Sequence, residues 1–232
     1  MNNDLALKNI KVISFDGDDT LWDFQKVMIH SLNIVIRELK RVDPIAAERL
    51  NIKKLIDIRE RVFSEFKGKV TNLEKIRLES FKESLRKVNR ENDELAEMLN
   101  KIYLKHRFED IELYDEVLPT INHLKDKYIL GLISNGNSYP ERCGLKDIFE
   151  FVVFSQDVGV EKPDQRIFNY ALKQLDCEKD QIIHVGNSIE DDIIGAEQAG
   201  ITGVWLNRNC KKTDGYKPEY EINSLDELQD IL

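Results

Sequence analysis

Two aspartates, Asp16 and Asp18, close an apolar run near the start of the chain, and Thr20 follows two residues later, in the segment VISFDGDDTLWD over residues 12–23. A strand that stops in Asp-x-Asp-x-Thr presents a carboxylate nucleophile, a carboxyl acid/base and a hydroxyl at one sheet edge. Such a group holds a divalent cation and attacks phosphorus. The same residue types also close turns by bonding nearby amides, so this segment alone carries two meanings.

Three later segments have the same character. Ser134-Asn135-Gly136 ends another apolar run. A hydroxyl and successive amides with a glycine cradle phosphate oxygens, although Asn-Gly is also a routine turn. Val160-Glu161-Lys162-Pro163-Asp164 holds a lysine before a proline. That lysine is suited to neutralise a carboxylate and a phosphoryl group, or simply to be solvated ahead of a helix with proline in its first turn. Gly186-Asn187-Ser188-Ile189-Glu190-Asp191-Asp192 follows a further apolar run. Facing Asp16 and Asp18 across the strand ends, it would complete an oxygen-lined cation site. Ser188-x-x-Asp191 is also a helix-capping pattern, which favours Asp192 over Asp191 for the site.

The elements that must position these groups alternate. Buried strands are predicted over 10–15, 128–134, 151–154 and 182–185, with a fifth including 204–206. Helices fall over 116–125 and near 166–175 and 191–200. The tail, 220–232, reads as a short strand and a helix capped by Ser224. Strands alternating with helices imply an α/β fold with a mostly parallel, Rossmann-like sheet, in which functional groups gather at the carboxyl ends of the strands. Residues 24–109 interrupt the alternation. There Met28, Leu32, Val35 and Leu39 repeat at helical spacing, as do Leu78, Phe81, Leu85 and Val88. Leu95, Met98, Leu99 and Ile102 mark one more helix. Thr71-x-x-Glu74 predicts a capping box, and Pro44 and Gly68 fall at breaks. The expected domains are an α/β core from 1–23 and 110–232, and an inserted all-helical domain over 24–109.

Composition bounds the partners. The chain has 232 residues, enough for one substantial domain and an insertion. Its net charge of −9 argues against nucleic acid as a main partner. Its apolar runs are far short of a membrane span. The start, MNNDLALKNIKV, lacks the pattern of a signal peptide. Cys143, Cys177 and Cys210 are odd in number and widely spaced, which fits reduced thiols in a cytoplasmic protein. Monomer and homodimer both stay open.

Taken together, the four segments resemble the haloacid dehalogenase superfamily, in its phosphatase branch, from residue 12 to about 207. Asp16-x-Asp18-x-Thr20 resembles its first motif, Ser134 the second, Lys162 the third and 186–192 the fourth, in the family's order. The resemblance implies a helical cap between the first two motifs, where residues 24–109 lie, hinging near 23–24 and 109–115. It implies a magnesium-dependent phosphatase acting on a small phosphate ester: a sugar phosphate, a nucleotide or flavin mononucleotide. Asp16 would attack phosphorus and carry an aspartyl-phosphate. Asp18 would protonate the leaving alkoxide and then activate water. Thr20 would support the loop, Ser134 with the amides of Asn135 and Gly136 would hold phosphoryl oxygens, and Lys162 would offset their charge. Magnesium would sit among Asp16, the Asp18 carbonyl, Asn187 and Asp192.

One departure stands out. The family usually has Gly-Asp where this chain has Gly186-Asn187. The amide oxygen still ligates but removes one negative charge, so weaker magnesium binding is expected. A phosphomutase, a dehalogenase and a non-catalytic binding module are the alternatives. The dehalogenase is disfavoured by Asp18, because a halide leaving group needs no acid. The binding module is disfavoured because it needs none of Asp16, Asp18, Ser134 and Lys162.

The remaining aromatic and imidazole residues have plainer expectations. Trp22 walls the leaving-group pocket or packs. His184 is expected to be a core histidine, and Tyr139-Pro140 a turn. His30, His106 and His123 fall in helical segments and are assigned no role, for want of a metal-ligand partner at i+4.

Overall fold

Strands of a parallel sheet buried on both faces read as continuous apolar runs, and VISF, ILGLIS, FVVF and IIHVG do so. A computed structural model describes residues 7–213 and 215–232 of the chain. It joins these runs in one sheet of six strands: β1 (Val12–Phe15), β2 (Ile129–Ser134), β3 (Phe151–Phe154), β4 (Ile182–Gly186), β5 (Thr202–Leu206) and β6 (Tyr220–Ile222). All pairings are parallel, in the order β3-β2-β1-β4-β5-β6. Phe15 pairs with Leu132 on one side and Val185 on the other. From β1 the chain runs outward through β2 and β3, then returns to β4 on the opposite flank. That reversal opens a crevice at the carboxyl ends of β1, β2 and β4. The fold is the Rossmann-like α/β arrangement expected from the sequence.

Two compact units divide the chain: residues up to Asp23 with Leu113–Leu232, and Phe24–Glu112. The second contains α1 (Phe24–Val42), α2 (Pro44–Arg49), α3 (Ile52–Phe66), α4 (Leu73–Lys87) and α5 (Asp93–Glu109). Its own core gathers Met28, Leu32, Val35 and Leu39 from α1, Leu85 from α4 and Leu99 from α5. Its boundary runs past residue 109 because Ile111 packs on that core and Glu112 pairs with Lys26. The helix α4 begins one residue later than the Thr71 capping box predicts. Asn72 is the cap, its side-chain oxygen accepting from the Lys75 N–H at 3.0 Å. Asparagine ranks above threonine as a helix cap, and here it wins locally.

In the first unit α6 (Val117–Leu124) leads into β2, and α7 (Ser155–Val158) and α8 (Gln165–Leu172) lie between β3 and β4. After β4 the sequence predicts one helix, but the chain makes a wide π-type turn over Ile189–Ile194 before α9 (Gly195–Ala199). Ser188 caps that turn, its hydroxyl accepting from the Asp191 N–H at 3.1 Å. A π-type turn is wider than an α-turn and often marks a functional position. The tail forms β6, a tight turn over Leu225–Glu227 and α10 (Leu228–Ile231). The hydroxyl of Ser224 bonds the Asp226 carboxylate rather than a backbone amide.

Candidate active site

The ladder between β1 and β4 continues one residue past β1, the Asp16 N–H donating to the Val185 carbonyl at 2.9 Å. This fixes Asp16 at the crevice. The chain then curls back on itself: the amides of Thr20 and Leu21 both donate to the Gly17 carbonyl, and that of Asp19 to the Trp22 carbonyl. Asp19 takes a positive φ of 61°, a conformation aspartate tolerates better than most residues. The curl lays the Trp22 ring over Gly17, where an added Cβ would lie 2.4 Å from the ring. Only glycine fits there. The Trp22 indole N–H donates to Asp18 Oδ1 at 2.6 Å, and the Ser138 hydroxyl to the same oxygen at 3.3 Å. Trp22 therefore packs and also holds the second aspartate.

Lys162 is buried, and its ammonium has three donors to satisfy. They go to Asp16 Oδ1 at 2.8 Å, Asp192 Oδ1 at 2.6 Å and the Ile133 carbonyl at 2.9 Å. A buried charge persists only when paired and hydrogen-bonded in this way. Burial opposes the ammonium's charge, but the two carboxylates hold its pKa above the usual lysine value. The Asn135 side chain brackets the Lys162 peptide: its amide donates to the Lys162 carbonyl at 3.0 Å and its oxygen accepts from the Lys162 N–H at 2.7 Å. Sequence reading gave Asn135 only a backbone role in phosphate binding. No local pattern links residues so far apart.

Asp192 is fully engaged. Besides Lys162, it accepts from the Ser188 N–H through Oδ2 at 2.8 Å, and His184 Nε2 lies 3.4 Å from Oδ1. Although burial opposes ionisation, Lys162 and His184 hold its carboxyl well below the usual range. It lies against Gly186, where an added Cβ would fall 2.2 Å from Asp192 Cγ. His184 is buried as expected, its Nδ1 2.9 Å from the Ser14 hydroxyl, and burial lowers its pKa. The Asp191 N–H donates to the Ser188 hydroxyl, the capping contact that the sequence pattern predicts.

The phosphate-cradle candidates lie beside these groups. The Ser134 hydroxyl accepts from the Gly136 N–H at 3.1 Å. A Cβ at Gly136 would lie 2.8 Å from Asp18 Oδ2 and 3.3 Å from Ser134 Oγ, so the second and first motifs meet there. Buried Thr20 donates to Asn187 Oδ1 at 3.3 Å, while the Asn187 carbonyl accepts from Trp205 Nε1 at 3.1 Å. Arg208 ties the far side of the loop, donating to the Thr20 carbonyl at 2.8 Å, pairing with Glu116 and stacking on Tyr114 at 4.0 Å. Tyr139 packs on Phe154 and precedes a short turn, Pro140–Cys143, in keeping with a turn role.

The donor set fits a hard dication. Asp16 and Asp192 both meet the Lys162 ammonium, Asp18 lies near Asp16, and every candidate ligand atom is oxygen. Burial raises the Asp16 carboxyl to about 7 against the pull of Lys162, with Asp192 and Asp18 adding to the rise. Asp192 is engaged by Lys162 and the Ser188 amide, and Asp16 and Asn187 are further oxygen-bearing side chains that could hold the ion.

Comparison with known proteins bears on this geometry. The family model described as haloacid dehalogenase-like hydrolase matches residues 10–200. The chain belongs to the haloacid dehalogenase-like hydrolases. A relative in this family, the glyceraldehyde 3-phosphate phosphatase of Methanothermobacter thermautotrophicus, is 31% identical over 228 residues, covering 94% of this chain and 93% of its own. The structure of a 2-haloacid dehalogenase from Pseudomonas syringae is 31% identical with a TM-score of 0.78, covering 96% of this chain and 97% of that one. The hydrolase YfnB of Bacillus subtilis, bound to magnesium, is 25% identical with a TM-score of 0.79, covering 97% and 99%. As a haloacid dehalogenase-like hydrolase, the chain is an enzyme of this α/β fold. No helix among the described residues is long and apolar enough to cross a membrane.

Proposed function

We propose that this hydrolase is a magnesium-dependent phosphomonoesterase for a small metabolite, working through an aspartyl-phosphate on Asp16. The observation that carries the reading is the pairing of a buried, lysine-clamped Asp16 with a second aspartate, Asp18, held by Trp22 and Ser138. A nucleophile and a separately oriented acid/base are what hydrolysis of a phosphate ester needs.

In the first step an Asp16 oxygen forms a bond to phosphorus as the bond from phosphorus to the ester oxygen breaks. Asp18 gives its proton to the departing alkoxide. In the second step Asp18, now a carboxylate, takes a proton from water, whose oxygen bonds to phosphorus. The Asp16 acyl phosphate breaks to a free carboxylate and inorganic phosphate. Ser134 and the amides of Asn135 and Gly136 hold the phosphoryl oxygens, and Lys162 offsets their charge. Asp192 positions Lys162, and Thr20 positions Asn187. Magnesium would be held by Asp16, the Asp18 carbonyl and Asn187, with Asp192 beyond them, and would supply charge neutralisation at the phosphoryl group. The helical unit is assigned the role of a cap that excludes water and selects the leaving group. A cytoplasmic, small-molecule enzyme is the setting that fits.

The likeness to a phosphatase over nearly the whole chain supports triose and other sugar phosphates as first substrates, with nucleotides and flavin mononucleotide next. Hydrolysis of p-nitrophenyl phosphate should require magnesium and vanish in Asp16→Asn. Absence of turnover with magnesium and manganese would sink the reading, and halide release from a 2-haloacid would favour dehalogenase chemistry instead.

A further inference from the structure

The helical unit carries a cluster of ligand-type side chains that phosphoryl transfer does not use. His30 lies in the second turn of α1, His106 in the last turn of α5, and Asp110 is the residue that caps α5. Asp110 Oδ2 meets both imidazoles: His106 Nδ1 lies 2.7 Å away and His30 Nε2 3.1 Å. The two nitrogens and a carboxylate oxygen all fall within 4.8 Å of one another. The rings are edge-to-face, their centroids 6.3 Å apart. The expected want of a ligand partner at i+4 does not hold for His106. Asp110 stands four residues after His106 on the same helix face. His30 joins them because α1 packs on α5, which no local pattern announces.

We propose that His30, His106 and Asp110 form a binding site for a late first-row dication of the zinc class. Two imidazole nitrogens and one carboxylate oxygen select such an ion over magnesium or calcium, which favour all-oxygen sets. Three protein ligands leave one position for water. Tetrahedral zinc separates its donors by roughly 3.3 Å at ordinary bond lengths. On that estimate the 2.7 and 3.1 Å spacings open by about 0.6 and about 0.2 Å, and the two nitrogens already lie within 4.8 Å of each other. All three side chains are partly exposed, so small rotations suffice. The hydrogen bonds to Asp110 already turn one nitrogen of each ring inward. A bound ion would clip the first helix of the unit to the end of its last.

The test uses the full chain, stripped with a chelator and titrated with zinc in excess magnesium, with bound zinc counted by atomic absorption. One equivalent should bind to the wild type and be retained in Asp16→Asn and in Cys210→Ser. The His30→Gln/His106→Gln variant should lose affinity by more than about tenfold, and zinc should raise the melting temperature of the wild type but not of this variant. Cobalt in place of zinc should give a visible absorption that the same variant lacks. Circular dichroism in chelator checks folding, and Asp110→Asn serves if the double variant does not fold. Unchanged zinc binding in the variants, loss in Asp16→Asn or Cys210→Ser instead, or no saturable binding would overturn the proposal and leave a hydrogen-bonded contact only.

Discussion

At Asp16 burial, an ammonium and two neighbouring carboxylates compete, and burial wins. The carboxyl rises from 3.8 to about 7 in the metal-free protein. A folded-state pKa above the unfolded value means that the folded chain holds the proton more tightly, so stability falls as pH rises through that window. Without metal, Asp16→Asn should therefore gain stability over wild type as pH rises from about 4 toward 8. The gain should be absent below about pH 4, where both forms are neutral. Urea denaturation in EDTA at the two pH values checks this, and a variant with no relative gain at pH 8 would contradict it. At Asn187 the amide oxygen already accepts from Thr20, and a carboxylate oxygen would do the same. Asn187→Asp should lower the magnesium concentration for half-maximal activity by about tenfold through the added charge. An unchanged magnesium dependence would remove Asn187 from the ligand set.

Among the elements, the turn after β4 decides whether the site assembles. Gly186 ends that strand with no side chain, and the wide turn brings Asp192 back over it to reach Lys162. Gly186→Ala would force a methyl into the Asp192 carboxylate. Overpacking of this kind costs about 1–3 kcal/mol. Here it should also displace the clamp on Lys162, so turnover should fall by more than the stability loss explains. Thermal melts beside kcat at a temperature where the variant is fully folded separate the two effects, and normal turnover would show that Asp192 is not needed to position the lysine.

At the scale of the whole molecule, each unit has an apolar core of its own among the described residues. The site residues all come from the unit built on the sheet. Magnesium with a phosphate mimic such as vanadate should stabilise that unit by mass action. Differential scanning calorimetry should show two components, of which one moves to higher temperature with these ligands. A single two-state transition that shifts as a unit would show that the cores unfold together.

The sequence by itself determined the strands, the position of the helical insertion and the residues at each strand end. These are local properties. An apolar run buried on both faces, a helical repeat and an Asp-x-Asp-x-Thr terminus are each legible within a dozen residues, and in a parallel sheet the strand ends share one edge. Capping was less legible: Asn72 displaced Thr71 where two candidates adjoined, and the Ser224 hydroxyl bonds a carboxylate instead of an amide. Tertiary structure alone decided which side chains hold which. Asn135 grips the Lys162 peptide, Trp22 orients Asp18, both Asp192 oxygens go to Lys162 and Ser188, and His30 meets His106 at Asp110. Most of these pairs lie far apart in the chain and are joined by satisfying a buried or converging polar group. That requirement exists only once packing has removed water.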